Sequence, residues 1–221
     1  MTKMSGDART VITLDGPAAS GKSSVARLLA QRLGIAYVSS GLLYRAATLT
    51  ALESGVDPTS ESAMARLLAS CSVRLLPRPD GNRVEVDGRD VTEWLHTDAV
   101  DAAVSAVARQ EGVRAWVNER LKELEGSFVI DGRDMGTAVF PRASHKFYLT
   151  APVEERARRR LSERSGDLES IAQALRHRDA LDAKQSVPAP DALHLDTGPL
   201  TLNEVVETVA GLIERHAAPA R

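Results

Sequence analysis

One cysteine in 221 residues excludes a disulfide framework and any metal site built on thiolates. That residue, Cys71, falls on the apolar side of a predicted helix and is expected to be a small buried hydrophobe, not a reactive thiol. No run of about 18 apolar residues exists, and residues 1–10 are too polar for a secretory signal, so a soluble, cytoplasmic protein with no membrane contact is expected. Neither sign of charge dominates. With 28 basic and 30 acidic side chains the formal net charge is −2, which gives no basic footprint for nucleic acid. Internal repeats and low-complexity tracts are absent as well.

Hydrophobic residues make up 43% of the chain, enough for a real core. The length suits one α/β domain with a modest insertion, or two small domains. Thr10–Leu14 is a short β-branched run that reads as a buried strand. Helical spacing follows from Lys22 to Leu33, then a strand candidate at Ile35–Val38 and a helix at Leu42–Glu53. Strand, loop, helix, strand, helix implies a parallel sheet with crossover helices. The stretch from about 60 to 100 breaks this rhythm. Ser60 is expected to cap a helix, and Val73–Leu75 with Arg83–Val86 form a hairpin about the Pro79-Asp80-Gly81-Asn82 turn. It reads as an insert between core segments 10–59 and 101–221. Helices are expected at Asp98–Ala108 and Val113–Leu124, and strands at Phe128–Ile130, Lys146–Leu149 and Leu193–Leu195. Pro152 opens an arginine-rich helix, a further helix covers Leu168–Leu181, and Thr201 with Glu204 forms a capping box for the last one.

Gly16-Pro17-Ala18-Ala19-Ser20-Gly21-Lys22-Ser23, followed by Ser24, fits G-x-x-x-x-G-K-[ST]. Main-chain amides must face the phosphates in such a loop, and Gly16 and Gly21 allow the tight wrap that turns them inward. The helix that follows adds free N–H groups and the positive end of its dipole. Lys22 reaches the β- and γ-phosphates, and the Ser23 hydroxyl can hold Mg²⁺. Chance would produce this pattern in about 1% of chains of this length. Asp15, at the strand end, either orients Mg²⁺ or a lid, or caps a turn.

A phosphate loop does not by itself choose among switch GTPase, motor ATPase and small-molecule kinase. No guanine-reading Asn/Thr-Lys-x-Asp stretch and no apolar strand ending in Asp-Glu is present, and what remains favours a kinase. Ser39-Ser40-Gly41 ends the second strand, with Tyr44 and Arg45 one turn on, on the side of a parallel sheet where ligands bind. Arg45 could pair with an acceptor phosphate and Ser40 donate to it. A solvated helix arginine is the plain alternative. Asp131-Gly132-Arg133-Asp134 stands at the third strand end, either a phosphate and sugar or base contact or a salt-bridged loop. Arg178 and Asp182 share a helix face. Arg156, Arg158, Arg159, Arg160 and Arg164 lie where a mobile lid of about 156–185 would bring positive charge to a transferring phosphoryl group.

Taken together, Ile12–Ser24, Ser39–Arg45, Val104–Arg114, Ile130–Pro141, Glu154–Arg160 and Arg178–Asp182 resemble the bacterial cytidylate kinases, in family order and spacing over nearly the whole chain. The resemblance implies an α/β fold of the nucleoside monophosphate kinase type: a five-stranded parallel sheet with helices on both faces, an acceptor-binding region and a short lid. It implies that Ser40, Arg45 and Arg133 bind the CMP phosphate, with Tyr44 beside them. Ser105, Arg114 and Asp134 would read cytosine, and Arg178 and Asp182 would hold the pentose. An aspartate suits the cytosine amine and an arginine its acceptors, whereas uracil would meet the carboxylate with an acceptor. Lys22, Arg133 and Arg178 would be the catalytic cations. The expected reaction is ATP with CMP or dCMP, giving ADP with CDP or dCDP, with Mg²⁺ as cofactor and the chain a monomer. One departure stands out: Ala183-Lys184-Gln185-Ser186 replaces a family stretch, with Gln185 where a phosphate-binding arginine is expected and the following loop shortened. Lys184 could substitute as a point charge. Two rivals remain open, a kinase for another acceptor such as shikimate and a non-catalytic nucleotide-binding module.

Overall fold

The computed structural model describes residues 9–78, 81–163 and 166–217. The polar leader 1–8, the Pro79-Asp80 part of the expected turn, Arg164 of the arginine series and the tail 218–221 lie outside the described residues. In chain order the elements are β1 (Val11–Asp15), α1 (Lys22–Leu33), β2 (Ala36–Ser39), α2 (Gly41–Glu53), α3 (Glu61–Ser70), β3 (Val73–Pro77), β4 (Asn82–Val86), β5 (Arg89–Asp90), α4 (Asp98–Val107) and α5 (Glu111–Lys122). There follow β6 (Phe128–Asp131), β7 (His145–Thr150), α6 (Val153–Glu163), α7 (Leu168–Asp182), β8 (Leu193–Asp196) and α8 (Leu202–Ala217). A 3₁₀ turn at Thr92–His96, a π-type turn at Met135–Val139 and the two-residue β5 have no counterpart in the sequence expectations.

Two compact units result, one joining the segment that ends at Ala36 to the segment that starts at Ser127, the other running Tyr37–Gly126. The first is built on a five-stranded parallel sheet flanked by helices, in the order β2-β6-β1-β7-β8, with β2 leading out of it. Every residue of β1 and β6 is buried, which is why VITLD and FVID read as unbroken apolar runs closed by a carboxylate and not as alternating strands. Leu14 lies opposite both Asp131 and Phe147, so the C-terminal ends of β1, β6 and β7 come out side by side. Ligands of open parallel sheets bind beyond such ends. Gly34 stops α1 in the left-handed region (φ 68°), its N–H returning to Ala30 and Gln31. At the start of α8, Thr201 N donates to Glu204 Oε2 (2.7 Å) and Glu204 N to Thr201 Oγ1 (3.3 Å), the expected reciprocal cap.

The second unit contains the 60–100 stretch and, with it, α2, α4 and α5. Helix α2 is its hub, buried from Leu43 and Tyr44 through Ala51. β3 and β4 pair antiparallel, Val73 opposite Val86 and Leu75 opposite Val84, putting alternate valines and leucines on one buried face. Two local expectations change. Ser60 occupies the N-cap of α3 without a capping bond from its side chain. The carboxylate turn just before it, where Asp57 Oδ1 accepts from the Thr59 N–H and hydroxyl (2.8 and 2.7 Å), supplies the local order instead. Cys71 sits at the C-terminal end of α3 and is half-buried, with its thiol pushed above the ordinary range chiefly by burial.

Gly16 is the most tightly enclosed of the described glycines. Its φ is +143°, and a Cβ there would meet the Leu149 carbonyl oxygen at 2.0 Å. Gly16→Ala is therefore expected to cost at least about 2 kcal/mol and lower the melting temperature by roughly 4–8 °C. A thermal scan showing an unchanged midpoint would contradict this close approach.

Candidate active site

The loop between β1 and α1 wraps as its glycines permit, with Gly21 at φ 89° and, less usually, Ala19 at φ 59°. A left-handed alanine costs on the order of 1 kcal/mol and persists only where its surroundings hold it. Val25 N donates to Gly21 O (3.0 Å), so α1 begins directly out of the loop. Lys22 is only 7% exposed. Its Nζ donates to Pro17 O (2.6 Å) and reaches Ser20 Oγ (3.4 Å), curling back over the loop. Burial brings its pKa down to about 7, Arg133 and Arg178 push the same way, and Asp131 and Asp15 oppose them. A cleft of about 530 Å³ opens along Ala19–Val25, walled by Arg159 and Arg160 of α6 and by Leu200, Leu202 and Val205. The Thr197 hydroxyl closes its floor, reaching the carbonyls of Ser20 (3.1 Å) and Thr150 (3.0 Å).

The neighbouring strand ends complete the site. Ser23 Oγ donates to Asp131 Oδ2 (2.7 Å), joining the first turn of α1 to the end of β6. Asp131 belongs to the segment expected to act at the third strand end, but its pairing with Ser23, 108 residues away, is not specified by local sequence. Of the two roles open to Asp15, its hydrogen bonds show the turn-capping one, on a turn more than a hundred residues away in sequence. Its two oxygens accept from the N–H groups of Met135 (2.9 Å) and Gly136 (2.8 Å), so it anchors the π-type turn that follows Asp134. Gly136 packs closely there: a Cβ would come within 3.3 Å of the same carboxylate and 3.0 Å of Thr13 Oγ1. Asp134 is buried at the start of that turn. Arg133 donates through Nη1 to Gly16 O (2.7 Å) and through Nε to Asp182 Oδ2 (3.1 Å). Arg178 Nε lies 3.7 Å from the same Asp182 oxygen. Lys22, Arg133, Arg178 and Asp182 are thus brought together within the first unit.

The arginine series of α6 divides by environment. Arg158 is exposed and pairs with Glu155 (2.8 Å). Arg159 donates to Thr197 Oγ1 (3.0 Å) and Thr197 O (2.6 Å) and, with Arg160, walls the cleft. Arg156, expected to belong to the lid's free charge, is instead buried and committed to main-chain oxygens and Asp179. At the end of α7, the N–H groups of Gln185 and Ser186 both return to Asp182 O (3.0 and 2.9 Å), and the Tyr148 hydroxyl donates to Ser186 O (2.7 Å). The short loop that carries Gln185 is therefore pinned to β7.

The remaining expected residues belong to the second unit. Arg45 of α2 donates to Leu95 O (2.8 Å) and pairs through Nη2 with Asp101 Oδ1 (2.6 Å). Asp101 lies one turn before Ser105 on α4. Arg114, at the start of α5, donates to Ala108 O (3.3 Å) with its guanidinium 6.0 Å from the centre of the Tyr44 ring. Ser40, buried, takes the N-cap position of α2.

Asp15 gives this site a pH signature. Burial raises its pKa to about 6 from 3.8, with Asp134 adding to the rise, the Gly136 and Met135 amides and Lys22 opposing it. The folded state then binds this proton more tightly than the unfolded chain, so the group destabilises the fold when ionised and the cost fades as pH falls from 7 to 4. Denaturation of wild type and Asp15→Asn across that range should show the wild type gaining relative stability toward low pH, by at most about 3 kcal/mol. A gap that moves the other way contradicts the assignment.

Comparison with known proteins agrees with this geometry. A family model described as cytidylate kinase matches residues 12–215. A cytidylate kinase of Thermus thermophilus is 59% identical over 207 residues, covering 94% of this chain and all of that one. One from Deinococcus deserti is 53% identical, covering 90% and 96%. Among solved structures, an uncharacterized protein from Eubacterium ventriosum superposes with a TM-score of 0.53 at 12% identity, over 93% of this chain and 99% of that one. A shikimate kinase from Acinetobacter baumannii does so at 0.50 and 16%, over 96% of each. At such identities the structural matches speak for the fold alone. The sequence matches go further, and by them the chain belongs to the cytidylate kinase family.

Proposed function

We propose that this chain transfers the γ-phosphoryl group of ATP to CMP or dCMP, giving CDP or dCDP. The observation that carries the reading is the gathering of cations at the loop: the Lys22 amino group is buried over it, Arg133 donates to Gly16 O, and Arg178 meets Arg133 on the same Asp182 carboxylate. Like charges gathered beside a loop of main-chain amides make a site suited to a polyanion. The family relationship supplies the identity of that polyanion and of its partner.

In this reading Gly16, Pro17, Ala18, Ala19, Ser20, Gly21, Lys22, Ser23 and Ser24 take the ATP phosphates, and the cleft beside Arg159 takes the rest of the donor nucleotide. Acceptor roles follow the family pattern: Ser40, Arg45 and Arg133 for the CMP phosphate, with Tyr44 beside them, Ser105, Arg114 and Asp134 for the cytosine, Arg178 and Asp182 for the pentose. Helices α6 and α7 form the lid. The Ser23 hydroxyl and the Asp131 carboxylate offer a pair of hard oxygens of the kind magnesium takes when it arrives on phosphates, and no cluster of three His, Cys, Asp or Glu among the described residues offers a separate cage. Bound there, the ion would offset charge on the phosphate oxygens. The acceptor phosphate oxygen is already anionic, so no side chain has to remove a proton. What the chain does is line up two phosphates and neutralise the equatorial oxygens with Lys22, Arg133 and Arg178. No helix among the described residues is long and apolar enough to cross a membrane, and a monomer working in the cytoplasm on free nucleotides is the simplest setting.

An assay of ADP release across CMP, dCMP, UMP, AMP and shikimate tests the reading. Turnover should be highest with CMP or dCMP. Asp134→Ala should lower kcat/KM for CMP by about 10–100-fold, the value of about 1.5–3 kcal/mol for a hydrogen bond to a charged group, and weaken discrimination against UMP. Tight ATP binding with no CDP formed at high enzyme would replace this reading with that of a binding module. Preferred turnover of shikimate would replace it with that of another kinase.

A further inference from the structure

Arg156 is the least exposed guanidinium of the α6 series, at 7% for its side chain. Its donors go to three separate pieces of the first unit. Nε donates to Ala151 O (2.9 Å) just beyond β7, Nη1 to Ala18 O (3.1 Å) in the phosphate loop, and Nη2 to Asp179 Oδ2 (2.7 Å) on α7. Around it Ala18 is packed in an apolar cluster with Ala157 of α6 and Ala172 and Leu175 of α7. The outer side of the loop at Ala18 is therefore seated on the α6–α7 pair.

Peptide units are planar and trans, so a carbonyl and the N–H that follows it point in opposite directions. Drawing the Ala18 carbonyl toward Arg156 turns the Ala19 N–H the other way, and Ala19 lines the cleft. Ala19 itself is left-handed, at φ 59°, and a buried charged donor on the preceding carbonyl is the kind of restraint such a conformation needs. The charge also polarises the peptide unit, strengthening the N–H at its far end as a donor. Asp179 keeps the guanidinium in place and offsets the cost of burying it.

We infer that Arg156, held by Asp179, is a positioning residue for the phosphate cradle: it aims the Ala19 amide at the ATP phosphates and so sets nucleotide affinity without touching the nucleotide. This rests on the reading of the loop as the ATP site. The experiment compares wild type, Asp179→Asn and Arg156→Lys. Lysine keeps the charge but, as a single ammonium, cannot hold three acceptors in the fixed fork of arginine. Calorimetry measures the Kd for magnesium ATP and for inorganic tripolyphosphate, which lacks the base, and steady-state assays give KM for ATP and for CMP. The expected result is a rise of about tenfold in both Kd values and in KM for ATP, with KM for CMP within roughly twofold of wild type. A merely structural pair would lower the melting temperature and leave both Kd values unchanged, and that result overturns the inference. So does an equal loss on ATP and CMP. Should Arg156→Lys fail to fold, Asp179→Asn decides by the same criteria, since the aspartate is at the edge of the cluster. A wild type that binds ATP but yields no CDP would defeat the proposed reaction while leaving the binding comparison to judge Arg156.

Discussion

The structure depends on a buried positive hole. Where β1 ends, the chain turns its carbonyls outward and curls the Lys22 amino group back among them, out of water and beside two guanidinium groups. Taken alone this arrangement is unfavourable: desolvating an ammonium and surrounding it with like charge lowers its pKa toward neutrality. The fold tolerates it because the strands on either side are buried and rigid and because the outward carbonyls find donors. Gly16 O is met by Arg133 and Ala18 O by Arg156. The site is thus prepared for an anion before any anion is present, which is the sense in which electrostatic preorganisation lowers a barrier.

Aspartates tie this hole to the rest of the first unit, each with a separate task. Asp131 receives the Ser23 hydroxyl. Asp15 holds the turn after Asp134 through two main-chain amides. Asp182 is shared by Arg133 and Arg178, and Asp179 steadies Arg156. Asp179 and Asp182 lie three residues apart on one face of α7, and two of the arginines they hold, Arg156 and Arg133, reach back to the phosphate loop. That double connection ties the α6–α7 pair and the geometry of the cradle to the same contacts.

Much of this was legible in the sequence, and the limits have physical causes. The phosphate loop could be read because its conformation demands glycine at fixed spacing, and β1 and β6 because strands buried on both faces need unbroken apolar runs. The reciprocal cap of Thr201 and Glu204 is local and was read correctly. What could not be read depends on side chains meeting across long stretches of chain. Asp15 and the Met135 amide are far apart in sequence, and nothing near Asp15 says that its oxygens close a π-type turn. Arg156 looked like its neighbours Arg158 and Arg159, since helical spacing alone does not say which of several arginines is buried. At Ser60 the residue type fitted a cap but the side chain does not make the bond, and the ordered turn beside it is Asp57 with Thr59.

The state of Lys22 tests the central claim most directly. If its amino group is held near neutrality until phosphates arrive, binding of ATP with saturating magnesium at pH 8 must draw a proton from solvent, because the polyanion restores the charged form. Calorimetric titrations in buffers of different ionisation enthalpy count that proton. The account predicts uptake approaching one proton at pH 8, less at pH 6, and none in Lys22→Met. Binding without proton uptake at pH 8 would mean that Lys22 is an ordinary charged lysine in the free protein, and the prepared hole described here would not exist.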